Sequence, residues 1–359
     1  MRKIKKIIGL MLVFLGVISL SSCSLIDNLI VRTSSITTTD TPTTTSLTPS
    51  SSTNKKTSTT STRSNVDGYI VTFECNNGTK YNEVFTNKIT KPSDPVKANA
   101  SFLYWSSDEK LTTEYNFSTK LTSDMTLYAK YSIDYKSLTN DLSTSKIKAN
   151  VQINHTNQRS VFSSSSKSIG SGTIFYSDTS YYYILTCHHV IYPENGNIEY
   201  STYSVYDCYD QEYKDAKLLY RDVNYDLAIL RINKLTSTTK IPEVITLGND
   251  CYLNEEVIAI GEPHGQTNTI TYGTFINWYN FSPDLETINE SNVNFEVIAH
   301  DAHIDSGSSG GALLDTNFNL IGVNFASGTS SKGTYSYAIP IYKIKDFLAN
   351  ADDELGLNL

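Results

Sequence analysis

Short apolar runs separated by polar turns characterise the chain from about residue 138 onward. The runs have the length of β-strands, and the turns between them are rich in Asn, Asp, Gly and Ser. This spacing is typical of two packed antiparallel β-barrels. Residues 341–350 instead predict a short C-terminal helix that docks on the second barrel. We therefore predict a mainly β fold, with a double barrel over residues 137–350.

A second alternating pattern lies nearer the N-terminus, over residues 67–132. Residues 69–73 alternate like a strand and lead into an Asn-Asn-Gly-Thr turn at 76–79, and further strand-like runs follow. A unit of this size is near the lower limit for a hydrophobic core of its own. We therefore expect Trp105 and Phe117 to be core residues rather than ligand contacts.

The first 66 residues have the composition of an export signal and a linker. A basic start precedes an apolar run over residues 7–20, which is too short to span a membrane and suits a signal-peptide core. Leu20-Ser21-Ser22-Cys23 then resembles a bacterial lipobox, so we predict a signal peptide at 1–22 and lipidation of Cys23. The alternative is an ordinary secretory signal with an incidental cysteine. Residues 23–66 are rich in Ser and Thr and predict a disordered linker.

Charge and cysteine content exclude several classes of function. The formal net charge is −8 and no basic stripe is present, which argues against a nucleic-acid partner. The cysteines after Cys23 are too widely spaced for a metal knuckle or a dense disulfide scaffold. His300 and His303 lie three residues apart but without a metalloprotease motif. We expect no metal and no cofactor.

Three segments carry side chains for nucleophilic catalysis, in the order His, Asp, Ser. Ser309 lies in a glycine-framed turn over 305–311, and its hydroxyl needs an adjacent base. We predict His189 as that base and Asp226 as the carboxylate that orients it. Backbone N–H groups of Gly307 and Ser309 are the predicted oxyanion hole.

Two neighbouring residues compete for these roles. His188 precedes the predicted base, and Asp222 lies in the polar loop before the predicted carboxylate. The Thr-x-x-His-Val pattern favours His189, and the apolar strand that follows favours Asp226.

From about Leu138 to Phe347 the chain resembles trypsin-like serine peptidases of the chymotrypsin fold, and within them the HtrA/Deg-type branch. The resemblance rests on the Gly-Ser-Gly strand at 170–172, the Ala-Ile-Gly-x-Pro turn at 259–263 and the Ile-Gly-Val-Asn strand at 321–324. It implies a chymotrypsin-like double β-barrel and a serine endopeptidase activity. Too few residues follow Pro340 for the PDZ domain of many HtrA proteins, so we expect none here. Ser308 replaces the aspartate of trypsin-like zymogens, so we expect activity without N-terminal cleavage.

Residues 68–131 resemble one internalin-type B-repeat, a small β-grasp-like module of bacterial surface proteins. In that family the module is mostly a spacer or a weak adhesive surface.

The resemblance also suggests which residues select the substrate. By register, one side of the primary pocket is formed by Asn324, Phe325, Ala326 and Ser327, with His303 at its base. No carboxylate lies at that base, which disfavours Arg or Lys at P1. We expect a medium apolar or small P1 residue, with glutamate as the alternative.

Two functions from different classes follow. The first is a serine endopeptidase that acts on protein or peptide substrates from the outer face of a bacterial membrane, anchored by lipid at Cys23. The second is a surface adhesin whose peptidase-like part is an idle scaffold. Inactive relatives normally lose a catalytic residue or the oxyanion glycine. Because this chain has all of them in register, the sequence favours the enzyme.

Overall fold

A computed structural model describes residues 68–158, 165–192, 200–252, 254–266, 268–282, 290–330 and 333–356. The predicted signal peptide, the linker and Cys23 lie outside these described residues. The described part contains three β-sheets, which confirms the mainly β fold class. Within it, no helix has both the length and the apolar character needed to cross a membrane.

The N-terminal unit is a four-stranded sheet with the order β2-β1-β4-β3. The two central strands, β1 and β4, pair in parallel, and each pairs with its edge strand in antiparallel fashion. Trp105 is 1% exposed and its ring lies 5.1 Å from that of Phe73, so it is a core residue as predicted. Phe117 is partly buried against the same core. The strands are β1 (Tyr69–Glu74), β2 (Lys80–Phe85), β3 (Ala100–Ser106) and β4 (Met125–Ile133).

A helix and a 3₁₀ turn lead into the first of two seven-stranded sheets. Asp134 caps the helix, because its side chain accepts hydrogen bonds from two backbone N–H groups of the first turn. The sheet has the order β10-β11-β7-β6-β5-β8-β9. The elements are α1 (Tyr135–Thr144), the 3₁₀ turn Lys146–Ala149, β5 (Asn150–Gln158), β6 (Ser165–Ser177), β7 (Tyr181–Thr186), α2 (His188–Ile191), β8 (Thr202–Asp207), β9 (Glu212–Tyr213), β10 (Lys217–Asp222) and β11 (Leu227–Asn233).

The second seven-stranded sheet closes on itself. Its order is β12-β17-β16-β13-β14-β15-β18, and a further pairing of β17 with β18 completes the barrel. Apolar side chains of this barrel and of the first sheet form one continuous buried cluster. The elements are β12 (Thr246–Leu247), β13 (Glu256–Gly261), the 3₁₀ turn Pro263–Gly265, β14 (Thr269–Asn280), β15 (Glu296–His300), β16 (Ala312–Leu314), β17 (Asn319–Ser330), β18 (Gly333–Pro340) and α3 (Ile341–Leu355).

The C-terminal helix α3 is longer than the sequence predicted. It was expected to end at residue 350, but it runs to Leu355 because Ala351 is still buried and a left-handed Gly356 (φ 62°) ends it. The helix also reaches beyond the second barrel: the ring of Phe347 lies 5.2 Å from that of Tyr220 in β10. It therefore packs on both sheets.

The N-terminal unit contacts the second barrel through a buried lysine. Lys97 is 8% exposed, and its Nζ lies 2.6 Å from a carboxylate oxygen of Glu256 and 3.2 Å from the hydroxyl of Tyr252. That hydroxyl in turn donates to the Asn76 carbonyl at 2.7 Å. Burial raises the pKa of the neighbouring Glu255 to about 8. The two units are thus joined by charge-assisted hydrogen bonds away from solvent.

We predict that Lys97→Ala lowers the free energy of unfolding by about 2 kcal/mol, because it leaves a shielded carboxylate without its charged partner. Lys91→Ala is the matched control, since Lys91 pairs with Asp94 in solvent, with both side chains more than half exposed. Its loss should change stability by less than about 0.5 kcal/mol. Urea denaturation followed by tryptophan fluorescence measures both, and equal effects would contradict the contact.

Candidate active site

Asp226 is a fully buried carboxylate directly before β11. One of its oxygens accepts from the backbone N–H of His189 at 3.0 Å, and the other lies 2.8 Å from Nδ1 of the same residue. Strand β11 pairs with β7, which ends three residues before His189, and this pairing brings the two residues together. The structure therefore joins the predicted base and the predicted carboxylate.

His189 is held in one tautomer by this contact. A carboxylate can only accept, so Nδ1 carries the proton and Nε2 is left as the acceptor. Burial alone would lower the pKa of His189, but the charge of Asp226 and the hydrogen bond to it outweigh burial and raise that pKa. The His189 side chain as a whole is 18% exposed.

The two competing residues have other partners. His188 is 2% exposed; its Nδ1 donates to the Glu290 carbonyl at 2.8 Å, and its Nε2 accepts from Arg221 at 2.8 Å. Burial is the main cause that lowers the pKa of this imidazole. Asp222 accepts from the backbone N–H of Asn224 in its own turn. Neither residue is in the His189–Asp226 contact.

The serine turn packs against the segment that leads to His189. Gly310 has φ 87°, and a Cβ atom added there would overlap the Ser171 carbonyl and the Thr186 hydroxyl and lie 3.1 Å from the backbone nitrogen of Cys187, so glycine is required there. Ser309, one residue earlier, donates from its hydroxyl to the Phe325 carbonyl at 3.4 Å. The third predicted catalytic residue thus lies on a turn that touches the His189 segment.

Two carbonyl groups of this turn accept hydrogen bonds from backbone N–H groups. The Ser306 carbonyl accepts from the His264 N–H at 2.9 Å, and the Ser308 carbonyl accepts from the Gly311 N–H at 3.0 Å. Because a trans peptide aims its N–H opposite to its C=O, the N–H groups of Gly307 and Ser309 point the other way. Gly307 has φ 100°, and a Cβ there would lie 2.6 Å from the Glu262 carbonyl, so it too must be glycine.

Glu262 is a buried acid that the sequence analysis left without a role. It is 1% exposed, and one carboxylate oxygen accepts from the Asn150 amide at 2.5 Å and from the Asn268 N–H at 3.0 Å. Burial raises the pKa of Glu262 to about 7. The available signal was an acid at the end of the apolar run of β13, where the branch that this sequence resembles has asparagine.

The predicted specificity residues lie in two places. Asn324 and Phe325 are buried in β17, and the Asn324 amide is bound to Nε2 of His300 and to the Ala312 carbonyl. Ala326 and Ser327 follow them on the same strand. A cavity of about 210 Å³ beside the serine turn has a different lining, which includes His303 but none of these four: Ala259, Ile260, Gly261, Pro263, His264, Gln266, Thr269, Thr271, His303, Ile304, Asp305 and Ser308. That His303 and the four β17 residues line one substrate pocket stays a prediction.

One group of side chains could hold a metal ion. Ligand atoms of Cys187, His189 and Asp226 all lie within 4.8 Å of one another. Sulfur and imidazole ligands suit a soft divalent cation such as Zn²⁺. Burial raises the pKa of the Cys187 thiol well above its usual value, so the thiol is neutral without a cation. A cation held by these three residues would compete with the hydrogen bond between His189 and Asp226.

Comparisons with known proteins match two segments of the chain to known families. Residues 170–323 match the trypsin-like peptidase domain family, and residues 69–130 match the Listeria-Bacteroides repeat domain. The serine protease Do-like HtrB of Bacillus subtilis is 36% identical over 47% of this chain, and the chloroplastic protease Do-like 5 of Arabidopsis thaliana is 35% identical over 36% of it. The chain spans only 35% and 39% of the lengths of these two curated relatives.

A solved structure, the active form of a protease from M. tuberculosis, has a TM-score of 0.46 and 20% identity, and the match covers 59% of this chain and 85% of that one. The family matches confirm the two resemblances seen in the sequence: a trypsin-like peptidase domain with HtrA/Do-like homologues, and a bacterial repeat.

Proposed function

Because the chain contains a trypsin-like peptidase domain with HtrA/Do-like homologues, we propose that it is a serine endopeptidase that cleaves proteins or peptides through an acyl-enzyme. The observation that carries the proposal is the His189–Asp226 contact beside a serine turn in which the N–H groups of Gly307 and Ser309 point opposite to the bonded carbonyls of Ser306 and Ser308. A buried carboxylate, a singly tautomeric imidazole and a glycine-framed serine are the groups that acyl transfer requires.

In the proposed reaction these residues have the roles that the sequence predicted. Nε2 of His189 takes the Ser309 proton as Oγ attacks the scissile carbonyl carbon, and Asp226 stabilises the imidazolium that forms. The negative charge that develops on the carbonyl oxygen is met by the N–H groups of Gly307 and Ser309. His189 then returns the proton to the leaving amine, which breaks the C–N bond. Water then attacks the acyl-enzyme with the same help from His189, and the second product leaves with the Ser309 hydroxyl restored.

We further propose that the enzyme works at the outer face of a bacterial membrane, anchored through lipid on Cys23. Support comes from the lipobox-like Leu-Ser-Ser-Cys after a short apolar run. Two acyl chains are enough for stable anchoring, whereas one binds only marginally. The repeat domain then lies between the anchor and the peptidase domain along the chain.

The central prediction is covalent labelling of Ser309 by a fluorophosphonate. Ser309→Ala should remove the label and lower turnover by about 10⁶, and Asp226→Asn should lower it by about 10⁴. Peptide mass spectrometry locates the adduct, and Ser306→Ala is the control because Ser306 lies in the same turn. Folded wild-type protein that stays unlabelled and does not cleave casein would instead support the adhesin with an idle peptidase-like scaffold.

We predict that the acid limb of the rate profile lies above the ordinary histidine pKa of about 6.5. The pKa of His189 is raised by Asp226, so the ring keeps its proton to higher pH, and activity appears only as the pH rises through that value. Asp226→Asn removes the charge and should move the limb to lower pH. The pH dependence of fluorophosphonate labelling measures both proteins, and a wild-type limb below 6.5 would contradict the pairing.

Lipid attachment predicts that full-length protein partitions with membranes and incorporates radiolabelled palmitate. Cys23→Ala should abolish the label and either release the protein or leave it unprocessed. Cys75→Ala is the control, since Cys75 is a buried residue of the repeat domain. A wild-type chain without label, with its mature N-terminus elsewhere, would make this a secreted enzyme.

A further inference from the structure

Ser171 is a fully buried serine in β6, between two glycines, and it contacts the serine turn from the other sheet. We propose that Ser171 is a positioning residue that sets the geometry of the oxyanion hole. The inference rests on the proposed peptidase function, and it assigns a role to a residue that takes no part in the chemical steps.

Ser171 holds the serine turn at two points. Its hydroxyl donates to the Gly307 carbonyl at 2.7 Å, and its backbone N–H donates to the Ser309 carbonyl at 2.8 Å. These carbonyls belong to the two residues whose N–H groups form the proposed hole. The hydroxyl bond matters most at Gly307, because a glycine at φ 100° has no side chain to restrict its rotation.

The direction of the hydroxyl proton is also fixed. The backbone N–H of Glu262 donates to the Ser171 oxygen at 2.8 Å, so this oxygen acts as an acceptor on one side and directs its own proton to Gly307. Two residues further on, His264 holds the carbonyl of Ser306. The buried Glu262 carboxylate binds Asn150 of the first sheet, which anchors this segment.

The same residue connects the turn with the base. The Thr186 hydroxyl donates to the Ser171 carbonyl at 2.7 Å, and Thr186 ends β7 three residues before His189. Every backbone and side-chain polar group of Ser171 is therefore used. A displacement of Ser171 would shift the N–H groups of the hole relative to the imidazole.

The test is the pre-steady-state acylation of the full chain by p-nitrophenyl acetate. In Ser171→Ala the acylation rate constant should fall by about 10- to 100-fold, less than the 10²–10³ expected for outright loss of one donor. The dissociation constant for the ester should stay within about twofold, because the hole acts mainly in the transition state. Affinity for phenylboronic acid, a tetrahedral analogue, should fall with the rate constant. Ser168→Ala, on the exposed part of the same strand, should leave all three unchanged.

Circular dichroism separates a positioning effect from misfolding. If Ser171→Ala does not fold, Ser171→Cys decides, because a thiol is a weaker donor of similar size and should give an intermediate loss of rate. A folded Ala or Cys variant that acylates as fast as wild type would overturn the inference alone. A wild-type protein that never reacts would overturn the proposed function and this inference with it.

Discussion

A carboxylate that solvent does not reach is the constraint on which the site depends. Asp226 is fully buried, and an unpaired charge in that position would cost several kcal/mol of solvation free energy. It is therefore satisfied twice by one residue, through the backbone N–H and the ring of His189. The backbone contact holds the short helix α2 against Asp226, and the ring contact fixes the imidazole tautomer. One buried acid thus helps to hold this helix and sets the proton position of the proposed base.

Local patterns in the sequence predicted the elements that depend on neighbouring residues. The alternation over 69–73 became β1, and the helix predicted over 341–350 begins at Ile341 as α3. Glycine is also a local signal in the serine turn, because the positive φ values of Gly307 and Gly310 favour that residue type. The candidate catalytic side chains follow from motif and order, and their joint role stays a prediction. The choice of His189 over His188 is consistent with their different hydrogen-bond partners in the structure.

Contacts between segments that are distant along the chain could not be predicted from one sequence. Ser171 and Gly307 are 136 residues apart, and nothing in the local pattern of either says that they meet. The same holds for Lys97 and Glu256, which join the repeat to the second barrel and come from segments that read as separate domains. The extension of α3 to Leu355 depends on the burial of Ala351 by tertiary packing. The sequence did not predict this burial, because a run of acidic residues follows Ala351. Hydrophobic periodicity reports which face of an element is buried, but not what buries it.

The contact made by α3 has a mechanical consequence. The helix continues directly from β18 of the second barrel, yet Phe347 packs on Tyr220 of the first sheet. His189 and Ser309 follow strands of different sheets. Their alignment therefore depends on the contacts between the two seven-stranded sheets. A pulling force applied at the C-terminus acts first on this helix, before any strand of either sheet is under load. Tension there would first remove this contact between the two sheets, while the shared apolar core and the bonds from Ser171 to the serine turn still hold them together.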